Sequence, residues 1–414
     1  MRHLLLTTST LPRWENDPEP RFVLDLARHL TDRWQPTLLA PGFPGAAAEE
    51  RLDGVRVVRY AYAPTPAWET LCYPGAILSR LQANPWLGLL VPGLLLGLRR
   101  AVRRELRGRP YACVHAHWLL PQGAVHALGF RRRTTPPLVI TTHGGDLSLD
   151  RLAAVRALYR IILRRAAAVT VVAPSLRQRL HALEPRLSEE KVPVIPMGVD
   201  PEHFHPQRRR DDWAATQGLR HPVVLFVGRL VAKKGVDILL TAFSRLALTP
   251  TGVTLAIVGE GPQAEILRLQ AETLGLAARV RFLGALPHDA LCTAYASCDI
   301  FCAPSVIAGD GDMDGAPTVL CEAAACGLPL VGSALAGIPL VVIPGHTGYL
   351  VPPGDPAALA AALATLAADA ALRRRLGQQA RAHVRQFAWP AAADRFNALY
   401  EQVIAVTRGA GYCA

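Results

Sequence analysis

The chain has 414 residues, of which 50% are hydrophobic and 19% are charged. This length predicts two domains, and this hydrophobic content excludes a wholly disordered protein. The 45 lysines and arginines outnumber the 33 acidic residues and give a formal net charge of +12, which favours an anionic partner such as a phosphate, a nucleic acid or an acidic membrane surface.

The first half of the chain alternates short β-rich apolar runs with longer helical patterns, which is typical of βαβ units. The apolar run after Met1 is too short for a signal peptide, so we interpret it as the first strand and expect a cytoplasmic protein. Strands are predicted at residues 3–8, 37–40, 55–60, 113–116, 138–142, 168–172 and 192–195, and helices at 20–30 and 150–166.

Residues 81–98 form an uncharged and largely apolar segment, which an arginine-rich stretch follows up to residue 109. A membrane-spanning helix needs about 20 mostly apolar residues, and two prolines, three glycines and two amide side chains argue against one here. A buried helix and an interfacial anchor beside a cationic helix face both remain open. We favour the anchor, which would dock the first domain on anionic lipid at the inner face of the membrane. Nucleic acid is not an expected partner, because no aromatic-interleaved or helix-turn-helix pattern accompanies the charge.

The second half repeats the βαβ pattern, so the sequence predicts two doubly wound parallel sheets in tandem. Strands are predicted at residues 223–227, 254–258, 280–283, 300–303, 330–332 and 348–351, and helices at 236–246, 263–274, 318–325 and 356–376. The stretch 197–211, with its prolines and arginines, predicts an interdomain linker. The expected domains are residues 1–200 and 201–389, and a last helix within 390–414 either caps the second domain or crosses back to the first.

Sheets of this kind bind ligands at the carboxyl ends of their strands, so the loops that follow strands are where chemistry is expected. After the first strand of the second half, Gly228 permits a tight turn, and Arg229 and Lys234 precede a predicted helix. Two cations beside a helix N-terminus suit a diphosphate, although a solvated charged turn would have the same composition. Gly259 opens a formal dinucleotide-binding fingerprint after the second strand, but its position in the domain argues against NAD(P).

The third loop of the second half combines Asp314 with Glu322, which lies eight residues later inside a predicted helix. A loop carboxylate can accept hydrogen bonds from sugar hydroxyls, and a carboxylate on the helix can hold a ribose diol. The free backbone N–H groups within residues 315–319 can bind phosphate oxygens. A calcium loop built on Asp310, Asp312 and Asp314 is an alternative, but it lacks the central glycine and terminal glutamate of an EF-hand. The other alternative is a polar surface loop without a binding role.

The eight cysteines include no C-x-x-C pair, and most lie in apolar runs, so we expect buried free thiols in a reducing compartment. No set of His, Cys, Asp and Glu residues has the spacing of a zinc site, and no nucleophile-elbow sequence supports a Ser/His/Asp triad.

Several motifs, in their order and spacing, resemble the GT-B glycosyltransferases of family 4. In the second half they are Arg229 with Lys234-Gly235, Gly259-Glu260-Gly261-Pro262, Phe282-Leu283-Gly284, Asp314-x7-Glu322 and GYLVPPGD at 348–355. In the first half they are LPRW at 11–14, HAHW at 115–118, THGGD at 142–146 and GVD at 198–200. The resemblance covers nearly the whole chain and implies the GT-B fold, an α/β architecture of two facing Rossmann-like domains.

The resemblance also implies a retaining transfer from a nucleotide-sugar donor to a lipid-linked or saccharide acceptor, in the synthesis of cell-surface polysaccharide or glycolipid. No essential metal or other cofactor is expected, because the cations and a helix N-terminus would stabilise the departing diphosphate. A nucleotide-sugar epimerase or hydrolase of the same fold, and a catalytically inactive nucleotide-sugar-binding relative, remain open as alternatives. Asp314 stands where the family usually has Glu, which leaves the identity of the donor open.

The resemblance implies catalytic or donor-binding roles for individual residues. Arg229 and Lys234 would hold the diphosphate, Glu322 the ribose, and Asp314 the transferred sugar, while His143 would reach across the cleft to the sugar or the reacting phosphate. The remaining donor-binding residues would be Gly228, Gly259, Leu283, Gly284, Gly315, Ala316, Pro317, Thr318 and Val319.

Four first-domain residues are expected on the acceptor side, namely Trp14, His115, His117 and Asp146. Strand alternation sends His115 and His117 to one face of the sheet, where they either contact the cleft or form hydrogen bonds in the core.

Overall fold

The computed structural model describes residues 1–409 except 16, 18, 74, 76, 131–134, 247–251, 310, 312, 314, 316 and 317. The chain divides into two compact units, which are Met1–Met197 with Trp389–Ala414 (unit 1) and Gly198–Ala388 (unit 2). The division falls within three residues of the boundary predicted at 200, and the last helix groups with the first unit.

Unit 1 is built on a seven-stranded sheet in the order β3-β4-β2-β1-β5-β6-β7, in which only the edge strand β3 runs antiparallel to its neighbour. Its strands are β1 (Arg2–Thr7), β2 (Trp34–Pro41), β3 (Glu49–Leu52), β4 (Val55–Tyr60), β5 (Tyr111–His117), β6 (Leu138–Thr142) and β7 (Ala168–Val171). Its helices are α1 (Phe22–His29), α2 (Ile77–Ala83), α3 (Val91–Gly108), α4 (Ala124–Gly129), α5 (Ala153–Arg165), α6 (Pro174–Leu183) and α14 (Trp389–Gly409).

The helix α14 is fixed to unit 1 by buried polar contacts as well as by apolar packing. The indole N–H of Trp34 donates a hydrogen bond to Asn397 Oδ1 at 2.8 Å, and both residues are buried. Phe396 and Tyr400 are fully buried beside His115 of β5. Burial of such aromatic side chains is worth about 1.5–3 kcal/mol each, so α14 forms part of the core of this unit.

Unit 2 contains a six-stranded parallel sheet in the order β10-β9-β8-β11-β12-β13. Its strands are β8 (Val223–Val227), β9 (Thr254–Val258), β10 (Val280–Gly284), β11 (Ile300–Ala303), β12 (Leu330–Ser333) and β13 (Gly348–Val351). Its helices are α7 (Trp213–Thr216), α8 (Val236–Leu246), α9 (Ala264–Thr273), α10 (His288–Ser297), α11 (Thr318–Ala325), α12 (Pro356–Ala368) and α13 (Ala370–Val384).

Both faces of the unit 2 sheet are covered, as a parallel sheet requires. Along β8 the side chains alternate between two hydrophobic clusters. Val223 and Leu225 pack with α10 and α11, whereas Val224 and Phe226 pack with α8 and α12. This explains why the strand is a continuous apolar run in the sequence.

The sequence patterns predicted no helix at α2, α4, α6, α7 or α10, and three further elements differ from the predictions. The strand β3 was missed because it is a polar antiparallel edge, without the apolar run that marks a buried strand. Residues 192–195 form no full strand, because Pro193 has no N–H to donate and only one bridge, from Val171 to Val194, is made. The helix predicted at 356–376 is two helices bent by 105°, since the Asp369 side chain accepts from Leu372 N and starts a new helix.

Candidate functional site

The loops after β8, β9 and β10 of unit 2 meet through their backbones. Gly228 N donates to Val258 O at 3.0 Å, and Gly259 N donates to Gly284 O at 2.8 Å. Gly259 has a φ of +134°, and a Cβ there would lie 1.9 Å from Gly228 O. Only glycine permits this approach, so the sequence-predicted residues Gly228, Gly259 and Gly284 form one continuous backbone surface.

The side chain of Lys234 lies against Gly228 of this surface. Its Cε and Cδ are 3.5 and 3.6 Å from the position that a Cβ on Gly228 would take. The turn Ala232–Lys234 ends at Gly235, whose φ of +63° allows it to approach Pro304 O after β11. Val306 N donates to Lys233 O at 2.9 Å and fixes the turn to the same segment. Lys234 is therefore held near the glycines by the tertiary structure.

Arg229 is exposed on the same loop, directly before Leu230, whose N–H donates to Glu260 O at 2.8 Å. Both sequence-predicted cations thus precede α8 and lie at the carboxyl edge of the sheet. A guanidinium and an ammonium group at this edge supply positive charge for an anionic ligand without blocking the backbone surface.

Glu322 lies on α11, whose range Thr318–Ala325 is the predicted one. The hydroxyl of Tyr295 on α10 donates to Glu322 Oε2 at 2.8 Å. Tyr295 is fully buried, and burial, together with the nearby Glu322 carboxylate, raises its pKa well above the ordinary value. Tyr295 therefore remains a hydrogen-bond donor and orients Glu322. The sequence analysis missed it because nothing local distinguishes a tyrosine in an apolar helix.

The loop before α11 is described only in part. The predicted residues Asp314, Ala316 and Pro317 lie outside the described residues, as do Asp310 and Asp312 of the calcium alternative. Gly315 is buried, and its carbonyl accepts a hydrogen bond from Gly337 N at 2.7 Å. Thr318 and Val319 are half-buried in the first turn of α11. Leu283, at the end of β10, packs partly buried against the core of this unit.

In unit 1, His143 directly follows β6 and is enclosed by other rings. Its Nε2 lies 3.1 Å from His117 Nδ1, and the two rings are stacked within 15°. Phe22 and Trp118 contact it with ring centroids at 4.9 and 4.8 Å. Burial lowers the pKa of His143 to about 3, so the imidazole is neutral near pH 7. A neutral, oriented imidazole can donate or accept one hydrogen bond to a ligand.

His115 is placed in the core of unit 1, which corrects its expected acceptor-side position. It is fully buried, its Nδ1 lies 2.8 Å from the Tyr400 hydroxyl, and its Nε2 lies 2.7 Å from Thr141 Oγ1. Both ring nitrogens are therefore used within the unit. The helix α14, which is distant in the sequence, covers the end of β5 that would otherwise be exposed.

His117 is also fully buried and so does not line an open acceptor surface, contrary to expectation. Burial and the neighbouring His115 and His143 lower its pKa well below the ordinary value. Its contact with His143 gives it an indirect place in the site.

Asp146 organises loops instead of presenting a carboxylate to a ligand. Its Oδ2 accepts from Leu119 N at 2.7 Å and its Oδ1 accepts from Thr142 Oγ1 at 2.5 Å, which joins the loops after β5 and β6. Burial raises its pKa, although these hydrogen bonds oppose that effect. Asp146 therefore stabilises the backbone around His143 through these hydrogen bonds.

Trp14 lies in the loop after β1 and is 42% exposed. The Arg13 guanidinium stacks on its ring at 4.5 Å, and Arg13 is itself paired with the buried carboxylate of Asp17. Of the four residues expected on the acceptor side, Trp14 is the one with a large exposed ring, which is suited to stacking against a sugar or another apolar face.

Among the described residues, one group could offer three metal ligands close together, His203, His288 and Asp289. The two imidazole rings are stacked at 4.2 Å within 12° of parallel. A metal ion lies in the plane of each imidazole that binds it, and two stacked parallel rings have no plane in common. The arrangement is therefore packing between the chain after residue 200 and α10.

The segment at 81–109 is only partly buried. A 3-10 helix, Pro85–Leu90, leads into α3, and together they form one helical run, Pro85–Gly108, that is long and apolar enough to cross a membrane by length and composition. Only 28% of its most apolar window is buried. Trp86 and Leu89 are 80% and 77% exposed, whereas Leu94 and Leu98 face the core.

Comparison with known proteins gives consistent matches along the chain. Residues 207–383 match the family described as glycosyl transferases group 1, and residues 20–203 match glycosyltransferase family 4. The D-inositol 3-phosphate glycosyltransferase of Segniliparus rotundus is 33% identical over 367 residues, which are 82% of this chain and 78% of that protein. The GDP-mannose-dependent alpha-(1-6)-phosphatidylinositol monomannoside mannosyltransferase of Mycolicibacterium smegmatis is 35% identical over 58% of this chain, and the chain spans 63% of that protein's length.

Solved structures share the fold at low sequence identity. Sucrose-phosphate synthase from Thermosynechococcus elongatus matches with a TM-score of 0.78 and 24% identity, covering 98% of this chain and 100% of its own. Anabaena HepE in complex with UDP and glucose matches with a TM-score of 0.70 and 19% identity, over 97% of this chain and 100% of its own. The expected GT-B fold, with two parallel-sheet α/β units, is confirmed.

Proposed function

The chain belongs to the group 1 glycosyltransferases of family 4, and we propose that it transfers a sugar from a nucleotide-sugar with retention at the anomeric carbon. The observation that carries this proposal is the glycine surface of unit 2 with the Lys234 side chain against Gly228. A surface without side chains allows a diphosphate to approach the backbone, and a cation beside it neutralises the charge. Glu322, oriented by Tyr295, would bind the ribose hydroxyls.

The chemistry requires positive charge where the bond breaks. Cleavage of the anomeric bond leaves a nucleoside diphosphate, and Arg229 and Lys234 would stabilise its developing charge. We propose that these side chains and the amides at the start of α11 replace a metal ion. Transfer should then survive treatment with EDTA, and a metal requirement restored by Mg²⁺ or Mn²⁺ would contradict this part of the proposal.

The acceptor is proposed from the chemistry that the relatives' names share. One relative is named for D-inositol 3-phosphate and the other for a phosphatidylinositol monomannoside. We therefore propose an inositol-containing acceptor, either a soluble phosphate or a lipid-linked glycoside, which would serve glycolipid or cell-surface polysaccharide synthesis.

A donor screen followed by a transfer assay tests this function. UDP-, GDP-, ADP- and TDP-sugars are first compared by thermal shift, since a ligand at about 100 times its Kd stabilises a protein by about 2.7 kcal/mol. The best donor is then incubated with inositol 3-phosphate or with phosphatidylinositol mannoside, and the product anomer is determined by NMR. Donor hydrolysis or epimerisation without transfer to any acceptor would contradict the proposal.

We also propose that unit 1 docks on an anionic membrane at the cytoplasmic face. The support is the exposed apolar surface of Trp86, Leu89 and Leu96 at the start of a helix whose second half is rich in arginine. Co-sedimentation with phosphatidylglycerol vesicles should fall sharply in a Trp86→Ser/Leu89→Ser variant and with added salt. Binding that is equal for the variant and the parent, or equal on phosphatidylcholine, would contradict the docking.

A further inference from the structure

A pocket lies on unit 1 between the second half of α3 and the end of α4. In the chain, α3 directly precedes β5, and α4 lies between β5 and β6. Helices that connect parallel strands run opposite to them, so the C-terminal ends of α3 and α4 lie at the amino edge of the sheet. The pocket is therefore at the edge opposite to His143, and the proposed sugar transfer does not account for it.

Three arginines converge on this pocket, which has a volume of about 430 Å³. Arg99, Arg103 and Arg107 are spaced four residues apart and so lie on one face of α3. Arg99 is held across Gly129 of α4, with its Nε 3.6 Å from the position of a Cβ there.

The positive charge of the pocket is not compensated within the described part of the chain. No ion pair of Arg99, Arg103 or Arg107 is found there, and no carboxylate lines the pocket. Glu105, the one acidic residue of α3, is buried on the other side and accepts from Arg56 and Tyr111. Like charges four residues apart destabilise a helix, so a bound anion would relieve this repulsion.

The other walls of the pocket indicate the kind of anion. Leu106 and Phe130 provide apolar surface beside the guanidinium groups. Guanidinium forks match phosphate oxygens in pairs, and the volume exceeds what a bare phosphate fills. We propose that this pocket binds the phosphate ester of an amphiphilic anion, with the phosphate on Arg99, Arg103 and Arg107 and the apolar part against Leu106 and Phe130.

Nonspecific attraction between the arginines of α3 and a negative surface would not be saturable, whereas the proposal requires saturable binding at one site. A matched pair of triple variants separates the two. Arg99→Gln/Arg103→Gln/Arg107→Gln removes the pocket charges, and Arg100→Gln/Arg104→Gln/Arg109→Gln removes the same charge from residues that do not line the pocket. None of these six side chains belongs to the proposed donor site, and the cooperative thermal unfolding of each variant, measured without any ligand, reports whether it is folded.

Two probes distinguish the possible sources of the phosphate ester. Titration with hexyl phosphate by calorimetry tests a soluble ligand, and co-sedimentation with vesicles containing phosphatidic acid tests a lipid head group. We expect the pocket variant to raise the Kd by at least about tenfold for one or both probes, because it loses charge-assisted hydrogen bonds to the phosphate, whereas the control variant changes it little.

Each result decides the question. A selective loss with hexyl phosphate supports a soluble ligand, and a selective loss with vesicles alone supports a lipid head group. Equal losses in the two triple variants, or no saturable binding of either probe to the parent protein, would overturn the proposal. Sugar transfer can fail or succeed independently, since neither probe experiment requires a donor.

Discussion

The Nδ1 atom of His117 lies 3.1 Å from the Nε2 atom of His143, and this hydrogen bond fixes the ring that follows β6. Burial lowers the pKa of both imidazoles, so both are neutral near pH 7 and one N–H is shared between them. The tautomers of the two rings are thereby coupled, since one of these nitrogens donates and the other accepts, and His117 acts as a positioning residue. Within the described residues, no hydrogen bond is made to the remaining nitrogen of His143.

We expect His117→Leu to lower kcat by about tenfold, because a hydrogen bond of about 1 kcal/mol or more that orients His143 is lost. The KM for the donor should change little, since His117 is buried and does not itself touch a ligand. His117→Asn, whose amide can take the place of Nδ1, should recover part of the rate. A rise in KM without a fall in kcat, or no rescue by Asn, would contradict a positioning role.

The second prediction concerns the cations of unit 2. Lys234→Met and Arg229→Met should each lower kcat by about 10²–10³-fold, the scale for removal of one group that stabilises developing charge. Lys233→Met is the matched control, since the contact that fixes this turn runs through the backbone carbonyl of Lys233. If all three variants had the same turnover, the diphosphate would be bound elsewhere.

Tyr295→Phe tests the orientation of Glu322. The variant loses one hydrogen bond to a carboxylate, so we expect a stability loss of about 1–2 kcal/mol and a severalfold weaker affinity for the nucleoside diphosphate. Urea unfolding and calorimetry with the preferred nucleotide measure the two effects. The hydroxyl of Tyr349 makes no hydrogen bond to any residue that the structure describes, so in the control variant Tyr349→Phe both values should stay near those of the parent. Unchanged nucleotide affinity in Tyr295→Phe would contradict a role of Glu322 in binding the ribose.

A glycine pair tests the backbone surface. Gly259→Ala places a Cβ against Gly228 O, whereas Gly354 has a positive φ of 76° with nothing within 4 Å of its Cβ position. Gly354→Ala should cost about 1–2 kcal/mol from the left-handed backbone alone. Gly259→Ala should cost clearly more and weaken nucleotide binding, because the two loops must separate. Equal costs in urea unfolding would show that the loops can part freely.

Stability should fall in mild acid because three histidines are buried in unit 1. Burial lowers the pKa of His115 and of His126 to about 3 and that of His117 well below its ordinary value of 6.5. As the pH falls, these histidines bind protons in the unfolded chain but not in the folded one. Their contribution to the stability of the fold is therefore fully present above about pH 6.5 and is lost as the pH falls towards 3. At about pH 5 each fully buried histidine then destabilises the unit by up to about 2 kcal/mol.

Hydrogen exchange of unit 1 between about pH 5 and pH 7.5, corrected for intrinsic rates, measures this loss. His126→Gln keeps an amide near Thr7 Oγ1, which lies 3.1 Å from His126 Nε2, but removes one titrating group. The variant should therefore show a shallower pH dependence than the parent. A parent protein with equal stability at both pH values would contradict the burial of these imidazoles.

The sequence by itself determined the sheets and the edge at which the site forms. Apolar runs such as residues 223–227 require burial on both faces, and short loops between strands and helices place Gly228, Lys234 and Glu322 at one edge of a parallel sheet. These features are local in the chain, because periodicity and turn residues act over a few positions. These features could therefore be predicted without knowing which distant segments each element packs against.

The tertiary structure alone decided which polar groups are used by the protein and which remain for a ligand. His115 is covered by Tyr400, 285 residues later, and Asp146 is bound by the loop of Leu119. Tyr295 meets Glu322 from a different helix. Local periodicity states that a residue is buried but not what it is buried against, because that depends on how distant segments pack. For this reason the two histidines of HAHW could not be assigned from their spacing.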